Sequence, residues 1–184
     1  MPTLLDQLAE GRAWDPGCSA AVAARVLAEP GLIDELFDGL ADDNEGLRNR
    51  VSRALVDISV ARPDLLLPYK RELLTRVSQI DQWIVRANLC HLLPRLTTLT
   101  ATERRRAIAL ARSWMVRPSS TIVVKVNAFE CVVRLSLARG FAAERVAAEA
   151  LSKECAAHGE TAAMRARARI MCKLLAKLAR TADA

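Results

Sequence analysis

The sequence predicts an all-α protein built from successive helical pairs, and three observations lead there. Ala, Leu, Arg and Val dominate while aromatic residues are only 4% of the 184, a mixture that favours helix because Ala and unbranched side chains lose little freedom in it. Seven glycines leave little material for long irregular loops. Above all, apolar residues at i, i+4, i+7, i+8 and i+11, which form one stripe along a helix, occur four times. They stand at Leu47, Val51, Ala54, Leu55 and Ile58, at Val85, Leu89, Leu92, Leu93 and Leu96, at Val124, Ala128, Cys131, Val132 and Leu135, and at Met164, Ala168, Met171, Cys172 and Leu175. The starts lie 38, 39 and 40 residues apart, and self-similarity at such a period marks a helical repeat.

Taken in order, residues 1–29 are expected to form a shorter N-terminal capping pair, with "CSAAVAARVLAE" as its clearest helix, because terminal repeats turn one face to water. Repeats follow at 30–62, 63–99, 100–140 and 141–184, within one domain of about ten helices. The first helix of each is read at 30–41, 63–77, 100–115 and 141–157, and the stripe lies on the second. Pro30 and Pro63 suit a first helical turn, where a missing N–H is harmless. Pro68 and Pro94 fall inside the expected helices and should bend them.

Two further columns accompany the stripe. A base follows each start, Arg48, Arg86, Lys125 and Arg165, and four residues before each start stands Asp43, Asp81, Ser120 or Glu160. Asp and Ser accept bonds from unpaired first-turn N–H groups, and Glu suits the positive end of the helix dipole. With these columns, in "DQWIVR" at 81–86, "SSTIVVK" at 119–125, "ETAAMR" at 160–165 and more weakly "DNEGLR" at 43–48, residues 30–180 resemble a HEAT-type repeat protein close to armadillo repeats in length. The resemblance implies a right-handed α-α superhelix, a solenoid of about five antiparallel helical pairs. It also implies that turn acids and helix bases pair between neighbouring repeats, as a structural ladder of Asp43, Arg48, Asp81, Arg86, Lys125, Glu160 and Arg165. Ser120 departs from the acidic pattern and interrupts that ladder.

The resemblance further implies that second helices line a concave face. Opposite the stripe, near i+2, i+6 and i+9, stand Asn49, Arg53 and Val56, then Ala87, His91 and Pro94, then Val126, Glu130 and Val133, then Ala166, Ile170 and Lys173. The next column carries Arg50, Asn88, Asn127 and Arg167; the two asparagine amides suit either an extended peptide backbone or bonds between adjacent helices. Such mixed chemistry fits a protein or peptide groove, with Asn49, Arg53, Asn88, His91, Asn127, Glu130, Arg167 and Lys173 as the partner-binding candidates. The alternative is nucleic-acid binding by the basic C-terminal repeats: residues 1–62 hold 6 Lys and Arg against 11 Asp and Glu, residues 63–184 hold 21 against 10, and a basic region steers anionic partners.

No constellation points to catalysis, a cofactor or a metal. His91 follows Cys90 directly, and successive helical side chains diverge by about 100°. Cys155 and His158 have a CxxH spacing without a second ligand pair. No Gly-rich phosphate loop is present, and Asp42, Asp43 and Glu45 sit where acids stabilise a helix start. Alkylpurine DNA glycosylases are similar in architecture, but no aromatic and acid cluster here matches theirs, so no catalytic residue is carried over. Five cysteines without CxxC read as reduced thiols. With no apolar run of about 20 residues and acids where a signal peptide carries bases, no membrane insertion and a cytoplasmic address are expected.

Overall fold

A computed structural model describes residues 3–9, 15 and 17–182. Ten α-helices, four short 3-10 helices and no strand are found among the described residues. The helices are α1 Leu4–Ala9, α2 Ser19–Ala28, α3 Ile33–Gly39, α4 Glu45–Ala61, α5 Lys70–Leu74, α6 Trp83–Leu92, α7 Ala101–Val116, α8 Ile122–Ser136, α9 Ala142–His158 and α10 Ala162–Ala182. The chain divides into two compact units, residues 1–103 and 104–184. None of the described helices is long and apolar enough to cross a membrane. Part of the expected N-terminal pair, at 10–14, lies outside the described residues.

In the first unit α4 is the hub, packing on α1, α2, α3 and α6. Its stripe is fully buried, as is that of α6. The prolines act differently from the expected bends. Pro63 opens a 3-10 helix at Pro63–Leu66, Pro68 stands in the turn after it, and only α5 and a 3-10 helix at Val77–Gln79 follow. Pro94 sits in the 3-10 helix Leu93–Arg95 that ends α6, so Leu93 and Leu96 complete the stripe beyond the α-helix. A proline lacks an N–H and cannot sustain the i to i−4 ladder. Short 3-10 turns keep the following side chains inward at that cost.

A six-residue helix such as α1 is marginal by itself; here other elements satisfy both its ends. The Glu35 carboxylate on α3 accepts bonds from the N–H groups of Leu4 (2.7 Å) and Leu5 (3.3 Å). At the other end Arg50 of α4, almost wholly buried, donates to the carbonyls of Leu8 and Ala9. An anion at the positive end and a cation at the negative end both complement the helix dipole. Gly17 has φ +51°, and a Cβ there would lie 2.9 Å from Cδ of Arg50, so glycine serves both the backbone and the arginine's path. Gly39 likewise keeps α3 clear of Leu5 and Val51, which a Cβ would meet at 2.6 and 2.9 Å.

In the second unit α8, α9 and α10 pack on one another. Ten of the fifteen residues of α8 are buried. On α9 only Ala148 and Ser152 are. The stripes of α8 and α10 are buried except at Cys172, which is half-buried. Val126, Phe129 and Val133 of α8 join Met164, Ala168, Met171 and Leu175 of α10 in one core cluster.

Two measurements test these contacts. Arg50→Met keeps the apolar stem and removes the bonds to α1, each worth about 1.5–3 kcal/mol from a charged donor. Urea denaturation is expected to show a loss of about 2–4 kcal/mol, with faster proteolysis before residue 18. Tyr69, the one tyrosine, stacks on Phe37 with ring centroids 3.9 Å apart and donates its hydroxyl to Asp34. Burial, then the Asp34 bond, pushes its pKa up to about 12. A raised folded pKa contributes stability present below the unfolded value near 10 and lost as pH climbs towards 12. Absorbance titration is expected to find the tyrosinate midpoint well above 10, and Asp34→Asn to lower it.

Candidate functional site

The second helices carry the residues singled out from the sequence, and the structure sorts them into buried connectors and exposed groups. Asn49, Asn88 and Glu130, expected on a partner-facing surface, are buried. So are Val56, Ala87, Val126 and Val133 of the same strip. The reason is packing: α4 lies against both α2 and α6, and α8 against both α9 and α10, so the side opposite the stripe is not free. Arg53, Ile170 and Lys173 are exposed, and His91, Asn127 and Arg167 are half-buried.

The buried polar groups link successive second helices. In the first unit Nδ2 of Asn88 donates to the Ser52 hydroxyl at 2.8 Å, and that hydroxyl donates to the Asn49 carbonyl at 2.8 Å. In the second unit Glu130 accepts from Nε of Arg134 at 2.6 Å and from Nη1 of Arg167 on α10 at 2.7 Å. Its side chain is 11% exposed against 47% and 39% for the two arginines, so the carboxylate is sunk and the cations reach solvent. Each arginine engages one oxygen of the Glu130 carboxylate.

The expected ladder is only partly a link between repeats. Lys125 does cross, its Nζ 2.9 Å from Glu160, thirty-five residues on. Asp81 and Arg86 instead pair within one segment, at 2.6 Å, with the acid 86% exposed and the base 8%. Arg48 crosses to Gln82, not to an acid: its Nε donates to Oε1 of Gln82 at 2.8 Å, and Nε2 of Gln82 donates to the Glu45 carbonyl at 2.8 Å. Arg165 donates to the carbonyl of Gly159 at 2.7 Å. Asp43 is exposed at the surface before α4.

Capping falls one residue later than expected. Asn44 caps α4 by accepting from the N–H groups of Gly46 and Leu47, and Thr121 caps α8 by accepting from Val124. Thr161 accepts from Met164 at 3.1 Å, in the same relation to α10. Asp43, Asp81, Ser120 and Glu160 thus stand just outside the caps. The column three residues before each stripe reads Asn44, Gln82, Thr121 and Thr161, a signal visible in the sequence but overshadowed by the neighbouring acids. Gln82 departs from it, bridging two helices in place of capping its own.

No group of three or more His, Cys, Asp or Glu side chains able to hold a metal occurs among the described residues. Burial pushes the Cys155 thiol up, away from the reactive thiolate. Cys155 and His158 line a cleft of about 210 Å³ with Met115, Val116, Lys125, Glu160 and Met164. Near it in sequence Val116, Ile122 and Val123 expose apolar surface. No protein-family model, curated protein or solved structure matches the chain.

Arg86 provides a test of burial against charge. Its Nε is buried without a hydrogen-bond acceptor, so its stem packs while part of its guanidinium is poorly satisfied. Arg86→Met, which keeps the stem, is expected to change stability by less than about 1.5 kcal/mol. Arg86→Ala, which leaves a void, is expected to cost about 2–3 kcal/mol, and Asp81→Ala under about 1 kcal/mol because the acid is solvated. Thermal melts of the three variants give the ranking.

Proposed function

We propose that this chain is a non-enzymatic binding protein, a HEAT-like solenoid of about five helical pairs whose second helices present a protein or peptide partner with a rigid, mixed surface. The observation that carries the reading is the division of labour along those helices. Asn88 of α6 bonds Ser52 of α4, and Glu130 of α8 bonds Arg167 of α10, while on the same helices Arg53 and Lys173 are exposed and His91 and Asn127 half-buried. Preorganised polar groups lose little freedom on binding. Val116, exposed on a cleft edged by the Lys125–Glu160 pair, and the exposed Ile122 and Val123 that follow it in sequence add the apolar area that a protein partner covers.

Affinity capture followed by mass spectrometry tests this reading. A partner is expected whose retention falls about tenfold or more with Arg53→Ala plus Asn127→Ala, or with Val116→Ser plus Ile122→Ser, at unchanged melting temperature. Capture by those variants equal to that by the unaltered chain would contradict it.

A further inference from the structure

Charge is divided sharply between the two units. Residues 1–103 hold 11 Lys and Arg against 15 Asp and Glu, whereas residues 104–184 hold 16 against 6. In the second unit three of the acids are already engaged: Glu130 by Arg134 and Arg167, Glu144 by Arg105, and Glu160 by Lys125. The other acids of that unit are Glu149, Glu154 and Asp183, against a larger number of remaining cations.

It surfaces in one row on α10. Counted from the start of each stripe, positions i+2, i+5 and i+9 lie on one side of the helix. On α4 they are Asn49, Ser52 and Val56, and on α8 they are Val126, Phe129 and Val133, all buried. On α10 the same positions are Ala166, Arg169 and Lys173, all exposed. Lys177 continues the row, and Arg165 and Arg180 flank it, giving five cations at spacings of four, four, four and three residues. At 1.5 Å per residue the row runs about 22 Å, one cation every 6 Å or so, within an arc of about 120°. A duplex carries a charge every 1.7 Å or so along its axis. The row therefore lies in a dense field of negative charge wherever it sits along the duplex.

We propose that this row, Arg165, Arg169, Lys173, Lys177 and Arg180, binds the phosphodiester backbone of nucleic acid without regard to sequence. The row is built only of Arg and Lys at regular spacing, and its centre is lysine, which engages phosphate as a point charge. A protein partner is a poorer fit, because lysine is depleted from protein interfaces and no aromatic anchor stands in the row. A membrane surface is also poorer. The large apolar groups exposed among the described residues include no aromatic, those of α10 being only Ile170 and Leu178, and its apolar stripe, Met164, Ala168, Met171 and Leu175, is spent in the core. This assignment stands independently of the protein-partner reading, since it uses a different surface and a different ligand.

Fluorescence anisotropy with a 20-base-pair duplex of arbitrary sequence, at salt concentrations from about 50 to 200 mM, tests it. The intact chain is expected to bind at the low end, with a slope of log affinity against log salt of about −4. Arg169→Gln, Lys173→Gln and Lys177→Gln together are expected to weaken binding at least about tenfold and to flatten the slope by between two and three. Circular dichroism of this variant should be unchanged, as all three side chains are exposed. A control of equal charge, Arg112→Gln, Arg117→Gln and Arg145→Gln, alters three other exposed cations of the same unit and should do much less. Absence of binding at low salt, equal losses in the two triple variants, or equally tight binding to phosphatidylserine vesicles would each overturn the proposal.

Discussion

In α4 and α8 the burial of two sides of one helix governs what every other element does. Each carries its apolar stripe inward and turns its opposite side onto the next second helix, α6 or α10. Fully burying a leucine or valine stabilises by about 1.5–3 kcal/mol, so a five-residue stripe outweighs any single polar bond nearby. In the second unit α9 needs much less, burying only Ala148 and Ser152 completely. α4 and α8 are the centres of their own units.

A helix enclosed on two sides has to satisfy whatever polar groups it carries there, and this requirement explains the connectors. Asn88 meets Ser52, Glu130 meets two arginines, and Gln82 spans Arg48 and the Glu45 carbonyl. A buried polar group left unpaired costs as much as several such bonds contribute, so these side chains set the register between neighbouring helices. The same logic extends to α1, whose ends would be unsatisfied without Glu35 and Arg50. On α10, where the corresponding side is exposed, cations replace the buried groups of α8, consistent with a helix built to face water or phosphate there.

The stripe was legible because its period is set by the helix itself and survives changes of side chain, as with Cys131 or Met171 in place of leucine. The helix positions followed from it. Asn49, Asn88 and Glu130 were misplaced because a single helical period identifies one buried side and is silent about a second neighbour, and their polarity suggested solvent. The caps Asn44, Thr121 and Thr161 stood in plain view, but the adjacent acids drew the reading one residue early. Pro68 and Pro94 are expected to bend helices, whereas they stand in a turn and a 3-10 helix. Whether a chain bends or changes to a 3-10 turn depends on the packing of Leu66, Leu93 and Leu96 behind it, which no local pattern records. The Arg50 bonds to α1 join residues more than forty apart, beyond the reach of any spacing rule.

α4 and α8 are the stable frames of their own units, and the helices packed on them are accessory. Native-state hydrogen exchange, read helix by helix, tests that most directly, because protection reports the free energy of opening each element. The account predicts the slowest exchange in the middle of α4 and α8, near the global unfolding limit of their units, with α3, α7 and α9 exchanging through smaller openings. Protection in α7 and α9 equal to or greater than that in α8 would contradict it.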